Sequence, residues 1–536
     1  MLSQQSKVSH PLLIIILMIL ILLAIAYKPS TLYPNIKILT KDNVEISLLL
    51  KASNTQTACQ QDISEAISLV KTACTSCQIL SQGCTKQLNT QQKALLSSAT
   101  LPYPSSQSDI ASASYISSDS QASLNACNEY EQSNAIHLMH IKCYPPQHLR
   151  PVTQGVQLNS NNNLLKLLLI LTITTMVSWF ACKMILYFEK FHAHLSHDHN
   201  NSGPQKFHAQ PTPRIGGIAL MLSLITVAAI IPKLLPNNFS TVSEINFLIL
   251  ASAPVFLGGI LEDLTKRVGV AQRLLLSMIS SAIAICLLGA LIDHSAIPML
   301  DSVLMLSLTP FAIICTIFAV SGIVNSINII DGYNGLSAGF SALVFTALAI
   351  VAFMVNDMLV LIVSVSMIGA LFGFLAWNWP YGKIFLGDGG AYLLGFILAE
   401  VSILLLYRNP IVSPWFPFLL LSYPIFETLF SIYRRKWIRK AAPGQPDAHH
   451  LHQLIFKRLV RGHIHGNRPG RLTLNNSRVA PYFWWTASFS SIFAVGFWQD
   501  TEILLLATVI GCVIYVLLYR QLTSFKGMVK LSRKKV

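Results

Sequence analysis

The sequence predicts an all-α fold, a polytopic helical membrane protein with about eleven core transmembrane helices, one N-terminal anchor and a small extracytoplasmic Cys-containing insertion. Three observations carry that reading. Only 11% of the 536 residues are charged and 53% are hydrophobic, against roughly 25% charged in soluble domains. Apolar runs of about twenty residues, the length that crosses a bilayer, recur along most of the chain. The basic residues sit in the loops between those runs, with a bias that membrane topology explains. The net charge of +15 is therefore a topology signal, and no nucleic-acid partner is expected.

Residues Pro11 to Tyr27 form a short apolar run between Lys7 and Lys28. Residues 1–28 are expected to be an anchor or signal; Ala24-Ile-Ala26 is compatible with cleavage, and an uncleaved anchor is preferred. Either outcome delivers residues 29–163 to the outside. That segment is rich in Ser, Gln, Asn and Thr, and it holds six of the ten cysteines, from Cys59 to Cys143. An even cluster in a polar segment fits structural disulfides in an oxidising compartment; Cys74-Thr-Ser-Cys77 also allows a redox or zinc pair. Thr57 to Leu80 carries Ile, Leu and Val at helical spacing, and Ala111 to Ser123 reads as a Ser-rich linker. The role of the segment is not legible. The remaining four cysteines lie in apolar runs, where burial is expected.

The membrane part, residues 164–519, reads as Leu164–Phe188, Ile215–Leu235, Ile245–Leu261, Leu274–Ile292, Leu304–Val324, Leu336–Val355, Leu359–Trp377, Ala391–Tyr407, Val412–Tyr433, Tyr482–Trp498 and Ile503–Leu518. Residues 520–536 form a basic cytoplasmic tail. Alternation puts His192–Arg214, Glu262–Arg273, Asn325–Gly335, Trp379–Gly390 and Arg434–Ala480 on the inside. Those loops hold Lys266, Arg267, Arg434, Arg435, Lys436, Lys457 and Arg458, whereas the outside loops carry little beyond Lys233 and Arg408. Charge bias and alternation agree.

Every polar constellation falls on an inside loop. His208-Ala-Gln-Pro-Thr-Pro-Arg-Ile-Gly-Gly217 stiffens a helix entry and allows close packing, a weak signal alone. Glu262-Asp263, followed by Lys266, Arg267 and Arg273, suits a site that handles a phosphate and a proton; exposed pairing of acids and bases is the plainer reading. Asn325, Asn328, Asp331 and Asn334 fall three apart, so on a helix they share one slowly drifting face. A carboxylate at a membrane edge calls for a metal or donor partner. Gly387-Asp388-Gly-Gly390 at a helix start can offer a carboxylate to Mg²⁺ and N–H groups to phosphate, or simply cap the helix. Asp447, His449, His450 and His452 raise zinc, but no Cys or Glu completes a closed site nearby in the sequence. Imidazoles there can instead donate to a diphosphate or move protons. His192, His194, His197 and His199 read as a solvated cluster or an adventitious metal binder.

In this order, the motifs resemble the polyprenyl-phosphate N-acetylhexosamine-1-phosphate transferase family, which also includes the muramoyl-pentapeptide transferase. The resemblance spans about Leu164 to Leu518. It implies transfer of a sugar 1-phosphate from a UDP-N-acetylhexosamine to undecaprenyl phosphate in the bilayer, with release of UMP, starting a lipid-linked envelope glycan such as O-antigen. It also implies a bacterial inner-membrane enzyme whose site faces the cytoplasm and whose Cys-rich segment is periplasmic; a homodimer is compatible with it. The acidic pair falls on Glu262 and Asp263, and the Asn/Asp motif on Asn325, Asn328 and Asp331. The Phe-x-Gly-Asp motif falls on Phe385 and Asp388, and the histidine motif on His450 and His452.

By resemblance, Asp263, Glu262 and Asp331 are the catalytic acids, with Asp263 taking the proton from, or orienting, the lipid phosphate. Mg²⁺ (or Mn²⁺) is expected on Asp388, with Asn328 or Asp331 completing the protein contacts. Phe385 is expected to stack on uracil. His450, His452 and Arg434 or Arg435 are expected to hold the diphosphate, and Arg273, Asn325, Asn328 and Asn334 to bind substrate. The chain departs from the family at Glu262, where Asp is usual, at Asn334, where many members have Asp, and at Gln453. The competing readings are the UDP-MurNAc-pentapeptide reaction, a transporter or flippase, and an envelope sensor. A transport path would string polar groups through the bilayer, whereas these gather on one face.

Overall fold

The computed structural model describes residues 33–39, 45–49, 78–85, 113–116, 161–196, 212–234, 239–304, 308–438, 440, 447, 449–460 and 474–524. The chain divides into two compact units, one of residues 27–155 with 409–411 and one of the remainder. In the smaller unit four strands form an antiparallel sheet in the order β3-β1-β2-β4: β1 (Tyr33–Leu39), β2 (Glu45–Leu49), β3 (Gln78–Thr85) and β4 (Ala113–Ile116). The helical spacing expected over Thr57–Leu80 gives way to β3 at its C-terminal end; its remainder lies outside the described residues. So do five of the six clustered cysteines, Cys84 alone standing on a described strand, and so do the N-terminal run and residues 525–536 of the basic tail, whose first five residues instead end the last helix.

The larger unit is helical, as the composition demands. Its long helices are α1 (Asn161–Tyr187), α3 (Gly217–Leu234), α4 (Phe239–Thr265), α5 (Val270–Leu288), α7 (Thr309–Ile330), α8 (Leu336–Met354), α9 (Met358–Asn378), α10 (Gly387–Arg408), α14 (Ala480–Gly496) and α15 (Thr501–Ser524). Short helices are α2 (Glu189–Ser196), α6 (Pro298–Val303), α11 (Trp415–Leu420), α12 (Ser422–Tyr433) and α13 (Leu451–Ile455). Among the described residues nine helices are long and apolar enough to cross a membrane. Helices α8, α9 and α10 are buried almost throughout, while α1 and α15 turn most of their apolar surface outward. Such a layered arrangement suits a protein whose outer solvent is lipid.

Two expected spans differ from the expectation. Val412–Tyr433 is broken at Leu421 into α11 and α12, because Pro424 has no N–H for the carbonyl of Leu420 four residues back. Tyr482–Trp498 is α14, only 17 residues long. The run expected to end at Val324 continues helically to Ile330, which places Asn325 and Asn328 on α7. Of the four cysteines outside the cluster, only Cys182 is buried; Cys286 is exposed and Cys315 and Cys512 are intermediate. Cys315 is one of the residues lining the cavity described below, where a thiol is tolerated as a small apolar group.

The far ends of three helices are locked by one cation. Arg408, ending α10, donates to Glu244 on α4 at 2.7 Å and to Asp357 at 3.0 Å, and Asp357 also caps α9 through the Val360 N–H. At the opposite ends of α4 and α10 lies the polar site.

Candidate active site

The N-terminus of α10 is the floor of the site, and it is held from two sides. Main-chain bonds pair Phe385 and Leu386 with the segment before α3: Phe385 N–H donates to Pro213, and Gly216 and Gly217 donate to Phe385 and Leu386, all at 2.9 Å. The Pro/Gly constellation read in the sequence is thus a packing partner of the Gly-Asp-Gly-Gly segment. Gly387 has φ +76°, and a methyl group on Gly259 would sit 2.5 Å from the Gly389 Cα. Backbone approaches that close exclude any side chain.

Asp263, at the end of α4, is fully buried. Its two carboxylate oxygens accept the N–H groups of Asp388 and Gly389, each at 2.9 Å, and Arg214 Nε lies 3.8 Å away. Glu262 accepts the Val268 N–H at 2.8 Å and so closes the α4–α5 turn. The Asp388 side chain accepts from Arg273 at 3.0 Å and lies 3.6 Å from Arg214. Asn328 Nδ2 donates to the Tyr392 hydroxyl at 3.0 Å, and the same hydroxyl is bonded to Arg273. Asp331 caps the C-terminus of α7 and accepts the Ser337 hydroxyl. Burial pushes its carboxyl up to about 7; Ser337 and Arg214 oppose that, and the charges of Asp388 and Asp263 add to it.

The histidine loop is built around a second buried carboxylate. Glu427 on α12 is fully buried, accepts the Leu451 N–H through both oxygens and lies 2.8 Å from His450 Nδ1. That contact leaves the His450 Nε2 edge for other partners. His450 stacks on His452, whose Nδ1 is 3.1 Å from the Tyr423 hydroxyl. Burial, with His450 alongside, pushes the His452 imidazole well below its usual range, so it is neutral. Asp447 would be raised by burial, but Arg434, then His450, His449 and Arg435, hold it below the usual carboxylate range. Arg434 also donates to the Tyr519 hydroxyl and the His449 carbonyl.

One cavity of about 1330 Å³ joins these groups. Arg214, Arg273, Asn325, Asn328, Asp331, Asp388, Tyr392, Arg435, Asp447, His450 and His452 line it, and its apolar stretch includes Leu274, Ile314, Phe318, Leu406, Phe418 and Leu429. The broken α11–α12 segment supplies one wall. Irregular backbone at membrane depth is tolerated where it lines such a space. Of the residues expected from sequence, Glu262, Asp263, Asn334 and Phe385 are not among those lining it. Asn334 is buried, its N–H on Asn476 at 2.7 Å and its amide 3.3 Å from the Pro380 carbonyl. Arg434 serves Asp447, and Arg435 faces the cavity instead.

Two site residues go beyond the sequence motifs, Tyr392 and Glu427. Glu427 carries a sequence signal, a lone carboxylate inside an apolar run; Tyr392 carries none. Among the described residues no cluster of three His, Cys, Asp or Glu side chains could hold a metal ion. Asp388 and Asp331 on one cavity nevertheless fit Mg²⁺, which takes one or two carboxylates and fills its shell with phosphate oxygens and water. His192 bonds Ser196 and the Ile185 carbonyl, so its ring is engaged locally.

The family model described as glycosyl transferase family 4 matches residues 245–406, which span α4 to α10. A probable undecaprenyl-phosphate N-acetylglucosaminyl 1-phosphate transferase of Bacillus subtilis (strain 168) is 30% identical over 253 residues, 47% of this chain and 68% of the relative. A decaprenyl-phosphate N-acetylglucosaminephosphotransferase of Mycolicibacterium smegmatis is 30% identical over 292 residues, 48% and 68% of the two chains. A phospho-N-acetylmuramoyl-pentapeptide-transferase of Bacillus mycoides is 32% identical over 203 residues, 36% and 61% of the two.

Proposed function

This chain belongs to glycosyl transferase family 4, and from that membership and the cavity we infer that it transfers a sugar 1-phosphate to a polyprenyl phosphate in the membrane. The donor in this reading is a UDP-linked N-acetylhexosamine, the acceptor undecaprenyl phosphate, and the released product UMP. The observation that carries it is the cavity's division of labour: carboxylates, guanidinium groups and imidazoles at the loop end, and an apolar stretch along the helices. A phosphate-headed lipid needs both.

An acceptor phosphate oxygen attacks the β-phosphorus of the donor. A new P–O bond forms, the bond from that phosphorus to the bridging oxygen breaks, and UMP leaves with the electron pair. The sugar keeps its own bond to phosphorus. A phosphate monoester has a second pKa near 6, so at neutral pH the attacking oxygen is already ionised and no proton must be removed. What the protein must do is bring two anions together and hold them in line. Arg273, Arg214 and Arg435 line the place where that charge accumulates. His450, oriented by Glu427, and neutral His452 are suited to hydrogen-bond the diphosphate and leaving UMP. Mg²⁺, which Asp388 with Asp331 or Asn328 would hold, would supply charge neutralisation at the diphosphate. In this topology the site faces the cytoplasm of a bacterial inner membrane and the Cys-rich segment lies in the periplasm.

The experiment is a donor screen on purified protein with undecaprenyl phosphate and Mg²⁺, comparing UDP-GlcNAc, UDP-GalNAc and UDP-MurNAc-pentapeptide. Acceptor-dependent UMP from an N-acetylhexosamine donor is expected. UMP from the pentapeptide donor alone would transfer the assignment to peptidoglycan synthesis, and the smaller share of chain matched by that relative weighs against it.

A further inference from the structure

We propose that Asp263 is a positioning residue, a carboxylate clamp on the N-terminus of α10 that sets where Asp388 stands, and not the base of the reaction. This rests on the transfer reaction inferred above. Asp263 is fully buried and does not line the cavity, whereas Asp388 does. Both its oxygens are committed to main-chain donors, the N–H groups of Asp388 and Gly389. Those two N–H groups are orphans of the first helical turn, and a carboxylate placed there also meets the positive end of the helix dipole. With both oxygens so engaged and the side chain away from the cavity, no oxygen of Asp263 is placed to meet an acceptor phosphate.

The clamp acts on a segment with no slack. Gly259 and Gly217 press on Gly389 and Gly390 closely enough that a methyl group on either would sit within 2.5 Å of the facing main chain. Gly387 turns with φ +76°, and a side chain there would strike Arg214 and Asp263. From that seat Asp388 reaches the cavity and accepts Arg273. Asp263 therefore governs the reacting groups through the main chain of Asp388, one step removed from any substrate.

The test compares Asp263→Asn with Asp263→Ala in the full chain, read by UMP release and by Mn²⁺ binding followed by electron paramagnetic resonance. An asparagine keeps the reach of the side chain and one oxygen that accepts an N–H but cannot serve as a base. The Asn variant is expected to exceed the Ala variant by about tenfold in turnover and in Mn²⁺ affinity, the size of one hydrogen bond kept. In Asp263→Ala/Asp388→Asn, Mn²⁺ affinity is expected to equal that of Asp388→Asn alone. Equal Asn and Ala variants, with Mn²⁺ binding as in the unmodified protein, would overturn the proposal. If the unmodified protein binds Mn²⁺ but releases no UMP, the transfer reading fails and the Mn²⁺ comparison still decides the clamp.

Discussion

At the scale of single residues, the buried carboxylates divide by what they touch. Asp388 and Asp331 face the cavity, while Asp263 and Glu427 are spent on main-chain N–H groups. Glu427→Gln keeps the size of the side chain but replaces one acceptor with a donor against the Leu451 N–H or the His450 ring. A lost charge-assisted bond of this kind costs about 1.5–3 kcal/mol, so kcat is expected to fall roughly tenfold or more. The KM for the UDP-sugar and the rate, measured together, check that; an unchanged rate would remove Glu427 from the account. His452 gives a pH prediction. Its imidazole is held well below 6.5 in the fold, so the unfolded chain binds a proton there that the folded chain refuses. Stability from this group is therefore full above pH 6.5 and lost as pH falls below it, by at most about 1.4 kcal/mol per unit. The melting temperature of the detergent-solubilised protein between pH 7.5 and 5 is expected to fall less steeply in His452→Gln. The sequence made Asp263, Asp388, Asn328 and the histidines legible by residue type and spacing. It could not reveal that Asn334 and Phe385 are not among the residues lining the cavity, because a polar or aromatic residue beside a motif looks the same whichever way its side chain turns.

At the scale of elements, the packing of α4, α3 and α10 through facing glycines decides where the site's floor lies. Gly259→Val would drive a branched side chain into the Gly389 backbone, which cannot yield as a side-chain tip could. Overpacking of this kind costs about 1–3 kcal/mol. A lower melting temperature and reduced UMP release are expected, against no change in Gly496→Ala, where nothing lies within 4 Å. Equal behaviour of the two variants would show that the α4–α10 contact is not tight. Helix positions are readable from apolar length, whereas the α11–α12 break beside Pro417 and Pro424 is not, because its residues keep one continuous apolar run. The glycine contacts were not readable, since a Gly in a membrane helix is as often neutral as essential and only the facing backbone distinguishes the two. The small sheet escaped for a different reason: short strands in a polar, Ser-rich segment leave little alternation to detect.

At the scale of the whole molecule, the family match begins at residue 245, and every residue assigned to the site lies between Arg214 and His452. Deleting residues 29–160 is accordingly expected to leave UMP release within about twofold of the full chain, on the premise that the domains fold separately. Loss of turnover with the membrane unit still inserted would assign the N-terminal unit a part in catalysis. Composition and loop charge settled the membrane class, and motif order on one face pointed to phosphoryl chemistry. The cavity joining that face to an apolar stretch needed three dimensions, because its walls come from α5, α7, α10 and α12, far apart in the chain. The most direct measurement follows the phosphorus itself: UDP-GlcNAc labelled in its β-phosphate, incubated with the protein, undecaprenyl phosphate and Mg²⁺, then split into lipid and water phases. Label recovered in the lipid with unlabelled UMP in the water is the predicted result. Label left in the water as UDP while the sugar enters the lipid would contradict transfer of sugar 1-phosphate.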